Sequence, residues 1–218
     1  VLVSVEVRTI DPQAPDRQIV GEAAEAILRG GVIAFPTDTF YGLGCSLMDP
    51  AAVDMLYRLK RRPQNLAVIS LLSDPAEVEA LAADIPEVAS ILMKRFWPGP
   101  LSIVFRASIV VPPACRGPRE TIALRYPQHP LSLALVRAVG GPIVASSANL
   151  SGQPPAKSAE EVIRAFGNQL DLVLDGGPSQ AVQPSTLVEV TSGKVEVLRA
   201  GAVDVSAYLG RQKFSDGA

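Results

Sequence analysis

Histidine occurs once and cysteine twice in 218 residues, and that scarcity removes several kinds of chemistry at the outset. Cys45 and Cys115 form no CxxC, and no grouping of His, Cys or carboxylate residues has the spacing of a zinc site, so no permanently bound metal is expected. Two thiols placed this way suit free cysteines in a reducing compartment better than a disulfide framework. The single histidine, His129 in "YPQHPL", could serve a Ser-His-Asp arrangement only if distant residues converged on it. The plainer reading is a turn histidine bonded to backbone ahead of a helix. Walker A, GxGxxG and GxSxG motifs are missing. No apolar run approaches the roughly 20 residues that span a bilayer, and "VLVSVEVRTID" alternates where a signal peptide would be continuously apolar. The expectation is a cytoplasmic protein with no membrane partner. A net charge of -2 argues against a generally basic nucleic-acid binder, so any positive site must be local.

What is present is a chain that is 48% hydrophobic, enough for a sizeable core, with strand-like and helix-like periods alternating along it. This predicts one domain over residues 1–210 followed by a short polar tail over 211–218. Ile19, Ala23, Ala26 and Ile27 form a helical stripe that ends at Gly30 and Gly31, and "VIAFP" reads as the strand after it. Asp49 can cap a helix with Pro50 in its first turn and Val53, Leu56 and Tyr57 on its apolar face. Further strands are expected at "LAVISLL", "LSIVFRA", "TIALRYP", "PIVASSA", "DLVLDGG", "STLVEV" and "VEVLRAG". Helices are expected near 75–83, 86–96, 131–139 and 159–166. The late strands lack intervening helices, and Pro98, Pro100, Pro112 and Pro113 bracket an irregular middle. The fold class is therefore α/β, with a strongly twisted mixed sheet flanked by helices.

Four segments carry hydrogen-bonding or cationic groups beside apolar strands. "PTDTFYGLG", from Pro36 to Gly44, follows a short strand, at the kind of strand end where α/β proteins place ligands. "KRRP" puts Lys60 and Arg62 two residues apart at a helix end, where both could reach one anion or merely complement the helix dipole. Arg125 interrupts the apolar strand "TIALRYP", so it either ties down a carboxylate of the fold, or waits for one from a substrate, or faces solvent. In "ASSANLSG", Ser146, Ser147, Asn149 and Ser151 could hold a ligand or simply form turns and caps.

The order of these segments resembles the YrdC/Sua5 family of threonylcarbamoyl-AMP synthases, from about Gly21 to Gly201. "GGVIAFPTDTFYGLGC" is similar to that family's opening strand and loop, "LKRRP" to its Lys-x-Arg-Pro segment, and "WPGPLSIVF" to its Trp-Pro-Gly-Pro segment. "TIALRYPQHP" is similar to its arginine strand and "SSANLSG" to its Ser-x-Asn segment. The resemblance implies a YrdC-like domain with a concave basic pocket. There L-threonine, bicarbonate and ATP, with magnesium carried on the ATP, condense to threonylcarbamoyl-AMP and pyrophosphate. It further implies a downstream transferase machinery that modifies tRNA, with tRNA itself bound only weakly or indirectly.

Residue by residue, the resemblance assigns Lys60 and Arg62 to the phosphates as charge stabilisers, with no dedicated nucleophile. It assigns Arg125 and Ser185 to the threonine carboxylate, Thr37 to a polar group of threonine, and Thr121, Ser147, Asn149 and Arg199 to the nucleotide side. Tyr41 receives no role. The chain departs from the pattern at "QNLA", Gln64 to Ala67, at Pro155 where some members carry a hydroxyl, and at Ala200 in "LRAG". The extra C-terminal domain of the longer Sua5 branch is not expected, making the short YrdC type the nearer analogy. Two other readings stand beside the synthase: an RNA-binding module without catalysis, and a paralogue whose substrate has changed.

Overall fold

The computed structural model describes residues 5–62 and 68–209. The altered Gln64 to Ala67 segment and the tail from residue 210 lie outside the described residues. Among the described residues there are ten strands, β1 (Val7–Thr9), β2 (Ile33–Phe35), β3 (Gly42–Ser46), β4 (Ile69–Leu71), β5 (Leu101–Arg106), β6 (Thr121–Arg125), β7 (Ile143–Ser147), β8 (Leu172–Asp175), β9 (Thr186–Glu189) and β10 (Glu196–Arg199). They form one twisted mixed sheet in the order β1-β8-β2-β3-β7-β4-β6-β5-β9-β10. β1 and β2 run parallel to β8, β4 to β6, and β5 to β9, while the remaining neighbours are antiparallel. The helices are α1 (Arg17–Leu28), α2 (Pro50–Leu59), α3 (Val78–Leu81), α4 (Glu87–Phe96), α5 (Pro130–Val139) and α6 (Ala159–Phe166).

Local chemistry starts most helices where the sequence says it should. Asp16 accepts from the amides of Gln18 and Ile19, and Asp49 from those of Ala51 and Ala52, so each aspartate satisfies two otherwise orphaned N–H groups. His129 caps α5 through Nδ1, which accepts from the Ser132 amide at 3.3 Å; this is the turn role expected for it. That acceptor role places the neutral ring's proton on Nε2.

Strand parity splits the core into two layers. Ile33, Phe35, Ile143, Leu172 and Leu174 pack with Val20, Ala23 and Ile27 of α1 and Leu131 and Leu135 of α5. Their sequence neighbours Ala34, Val144 and Val173 turn to the opposite face, against Val53, Leu56, Leu92 and Val162 from α2, α4 and α6. Each fully buried Leu, Ile or Phe of these layers stabilises the fold by about 1.5–3 kcal/mol. On the first face, Ile69, Ala145 and Leu187 stay only half-buried. That incompletely covered stretch is where the site lies.

The polar opening loop is shorter than its composition suggests. Its last three residues, Gly42 to Gly44, already belong to β3, where Gly44 lies so close to Phe35 that an added Cβ would sit 2.5 Å from that ring. Glycine here allows two strands and an aromatic ring to share one layer.

Candidate functional site

A cavity of about 370 Å³ opens over Ile69, Leu71, Ala145 and Leu187, with Thr37, Thr39, Phe40, Tyr41, Ser146 and Pro184 among its walls. Six residues expected from the sequence line it together: Thr37, Arg62, Arg125, Ser147, Ser185 and Arg199. Topology explains the convergence. β5 is antiparallel to β6 and parallel to β9, so the end of β6, which carries Arg125, lies beside the start of β9, next to Ser185. β10 runs back along β9 and returns Arg199 to the same end. Parity does the rest, since Ile122 and Leu124 face the α2 side and Arg125 therefore faces the cavity.

Three guanidinium groups, from Arg62, Arg125 and Arg199, thus share a cavity whose lining, among the described residues, includes no carboxylate. Each is held below the usual arginine range, mainly by burial, and Arg199 is lowered further by Arg125 and Arg62. Arg199 is fixed by bonds from Nε and Nη2 to the Ser185 carbonyl, at 3.1 and 2.9 Å, and by a third from Nη2 to Ser185 Oγ at 2.9 Å. Behind Ser185, the fully buried Ser102 hydroxyl is 3.1 Å away. Guanidinium groups with hydroxyls beside them are the chemistry that pairs with anions.

Arg125 does not wait for a partner. Its Nη2 lies 2.5 Å from Asp38 Oδ2 and its Nε donates to the Gly99 carbonyl at 3.0 Å. Of the partners open to Arg125, the carboxylate of the fold is present in Asp38, and Arg125 lines the cavity as well.

Lys60, Asn149 and Thr121 are not among the lining residues. Lys60 is 1% exposed, and its ammonium donates to the carbonyl oxygens of Ser147 and Asn149 and to Asn149 Oδ1, behind the wall rather than at it. Asn149 is spent in the same way, its Nδ2 donating to the carbonyls of Leu150 and Gln153. Thr121 shares the face of Arg125 but lies four residues back along β6, roughly 13 Å at strand rise. It lines a separate depression with Arg106, Arg119 and Glu189. Tyr41 is a strut: its hydroxyl donates to the Gly177 carbonyl at 2.7 Å and accepts from the Gly176 amide, and burial pushes the phenol up to about 12. Pro155 does line the cavity, so that departure from the family pattern touches the site, whereas Ala200 is exposed outside it.

Sequence reasoning missed Asp38, Gly99 and Ser102. Asp38 stood within the quoted loop, but its partner lies 87 residues away, a separation no local pattern reveals. Ser102 carried the signal that exposed Arg125, a polar residue inside an apolar strand.

The Sua5/YciO/YrdC family model, described as "Telomere recombination", matches residues 25–201. The threonylcarbamoyl-AMP synthase of Pyrococcus abyssi is 39% identical over 83% of this chain and 53% of its own. That of Bacillus subtilis is 38% identical over 95% of this chain and 60% of its own. The chain therefore spans between half and two thirds of the length of these two relatives. A solved structure of P. abyssi Sua5 complexed with L-threonine superimposes with a TM-score of 0.87 at 35% identity, over 92% of this chain and 59% of the other. The chain belongs to the Sua5/YciO/YrdC family.

Proposed function

We propose that this protein is an L-threonylcarbamoyladenylate synthase, a nucleotidyltransferase that condenses L-threonine, bicarbonate and ATP. The observation that carries the proposal is the convergence of Arg62, Arg125 and Arg199 on one cavity lined by hydroxyls and, among the described residues, by no carboxylate. The threonine amine adds to bicarbonate carbon with loss of water, and an oxygen of the resulting carbamate attacks the α-phosphorus of ATP. The bond to the β-phosphate breaks and pyrophosphate leaves. Such a reaction demands that anions be held together and their charge offset, and it needs no protein nucleophile.

In this reading Arg125 and Ser185 take the threonine carboxylate, Thr37 a polar group of threonine, and Arg62, Arg199 and Ser147 the nucleotide. Lys60 and Asn149 support the wall from behind, and Thr121 has no part. Magnesium enters as a component of the ATP substrate, which suits a cavity lined by guanidinium and hydroxyl groups. The product goes to a threonylcarbamoyl transferase acting on tRNA, with tRNA itself held weakly at most because the chain is net negative.

The test is pyrophosphate release by the full chain with ATP, threonine and bicarbonate each omitted in turn, and with serine replacing threonine. Omission of any one substrate should abolish release, and serine in place of threonine should support it only weakly. Equal turnover without threonine overturns the proposal, and tight, salt-resistant tRNA binding without turnover favours the RNA-binding reading instead.

A further inference from the structure

Asp38 stands outside the cavity lining but pairs with Arg125, a cation that belongs to it. Its Oδ2 lies 2.5 Å from Arg125 Nη2, in a pair whose side chains are only 14% and 5% exposed. Three features set it apart from an ion pair that merely holds the fold. Its second oxygen, Oδ1, is buried and has no hydrogen-bond partner among the described residues, so the carboxylate is held by one oxygen alone. The turn that carries it closes without it: Thr37 Oγ1 donates to the Phe40 carbonyl at 2.7 Å and accepts from the Thr39 amide at 3.1 Å. Arg125, meanwhile, still faces the cavity.

An anion arriving at Arg125 therefore meets a cation whose charge is already largely offset, and meets Asp38 as a like charge nearby. We propose that Asp38 is a specificity-determining residue, a resident counter-ion on Arg125 with which a substrate carboxylate competes, so that it holds anion affinity below what Arg125 alone would give. The proposed function enters only in naming threonine as that carboxylate; the competition rests on the pair itself. The consequence for turnover is that weakly charged or badly placed anions are not retained, and a bound carboxylate is released more readily.

The experiment compares wild type, Asp38→Asn, Asp38→Glu, Arg125→Ala and the Asp38→Asn/Arg125→Ala double variant of the full chain, titrated with threonine and with inorganic phosphate. Asp38→Asn keeps size and an acceptor oxygen but removes the charge. It should bind both probes about tenfold more tightly, the effect of about one pKa unit of charge interaction. The gain should vanish in the Arg125→Ala background. Asp38→Glu, which keeps the charge, should bind as weakly as wild type. In turnover, Asp38→Asn should lower KM for threonine without raising kcat. Unchanged or weaker binding of both probes by Asp38→Asn overturns the proposal, as does a gain that persists without Arg125. Should Asp38→Asn not fold, Asp38→Ser makes the same test, and failure of both to fold overturns it, since the pair is then structural. If wild type and variant ignore threonine while phosphate binding tightens as stated, the counter-ion stands and the substrate assignment falls.

Discussion

Asn149 holds the ammonium of Lys60 through two oxygens, its carbonyl at 2.9 Å and its side-chain Oδ1 at 3.3 Å. The Ser147 carbonyl takes a third bond, and Ser151 returns one from its amide to the Lys60 carbonyl at 2.9 Å. The end of α2 and the loop after β7 are thereby fastened into one piece, which fixes Arg62 on one side and Ser147 on the other. Lys60→Met keeps most of the stem but removes the donor these acceptors share: the Ser147 carbonyl keeps the Asn149 amide and Asn149 Oδ1 keeps the Ser147 hydroxyl, while the Asn149 carbonyl loses this bond. It should cost about 1–3 kcal/mol of stability. Thermal unfolding measures that cost, and pyrophosphate release should fall more than threonine affinity does, because the proposed function places the nucleotide at the loosened wall.

The same lysine gives the protein a pH signature. Burial, and then the neighbouring Arg62, push the ammonium down from 10.5 to about 7. Between those values the unfolded chain binds the proton that the folded chain gives up, so stability rises with pH across that window. Below about 7 both states carry the proton and the buried charge is a standing cost to the fold. Denaturant unfolding across the window should show wild type gaining on Lys60→Met as pH increases. Parallel curves would mean that the three acceptors keep the ammonium charged throughout.

Arg125→Ala leaves Asp38 as a buried carboxylate without its partner, which costs about 3–5 kcal/mol when one side of such a pair is removed. Removing both sides restores balance. Arg125→Ala should melt well below wild type, and Arg125→Ala/Asp38→Ala should recover most of that loss. Neither should bind threonine if Arg125 receives its carboxylate as the proposed function has it. Thermal melts and calorimetry on the two variants separate the structural share of this arginine from its binding share. Recovery of threonine binding in the double variant would remove Arg125 from the site.

Local signals were readable in this sequence wherever the chemistry was itself local. Asp16 and Asp49 announced their helices because a capping carboxylate acts on amides two or three residues away. The strand carrying Arg125 was legible because a cation interrupts an apolar run. The fate of Lys60 was not, since the oxygens that take its protons lie 87 and 89 residues along the chain. Thr121 shows the complementary case: motif order grouped it with the site, while strand rise carries it to the far end of β6 and into a separate depression. Gly42 to Gly44 read as loop because glycine disfavours strands in isolation, and only the close packing of Phe35 against Gly44 shows why strand β3 needs it.

Tyr41 offers a test of support without chemistry. Its hydroxyl bridges the Gly176 amide and the Gly177 carbonyl, so Tyr41→Phe leaves two backbone groups without that partner. The expected loss is about 1–3 kcal/mol of stability. With the phenol held up at about 12 it carries no charge near neutrality, so the pH profile of turnover should keep its shape. A lost limb in that profile would give the phenol a proton-transfer role.

Gly201 bears on the site from outside its lining. A Cβ built there would sit 2.4 Å from the Pro184 carbonyl oxygen and 2.6 Å from both the Ser185 carbonyl carbon and the Thr186 nitrogen. All three are backbone atoms, so no rotamer change relieves the clash. The chain must move apart at Ser185, the residue that anchors Arg199 through its carbonyl and its hydroxyl. Gly201→Ala should therefore cost about 1–3 kcal/mol as an overpacked contact and also weaken anion binding, with threonine and inorganic phosphate both affected. Gly141→Ala is the matched control, because an added Cβ there meets nothing within 4 Å. Calorimetry and thermal melts on the two variants give the answer. Full stability loss with unchanged affinity for both probes would show that Ser185 and Arg199 can shift without consequence, and would remove them from the anion site.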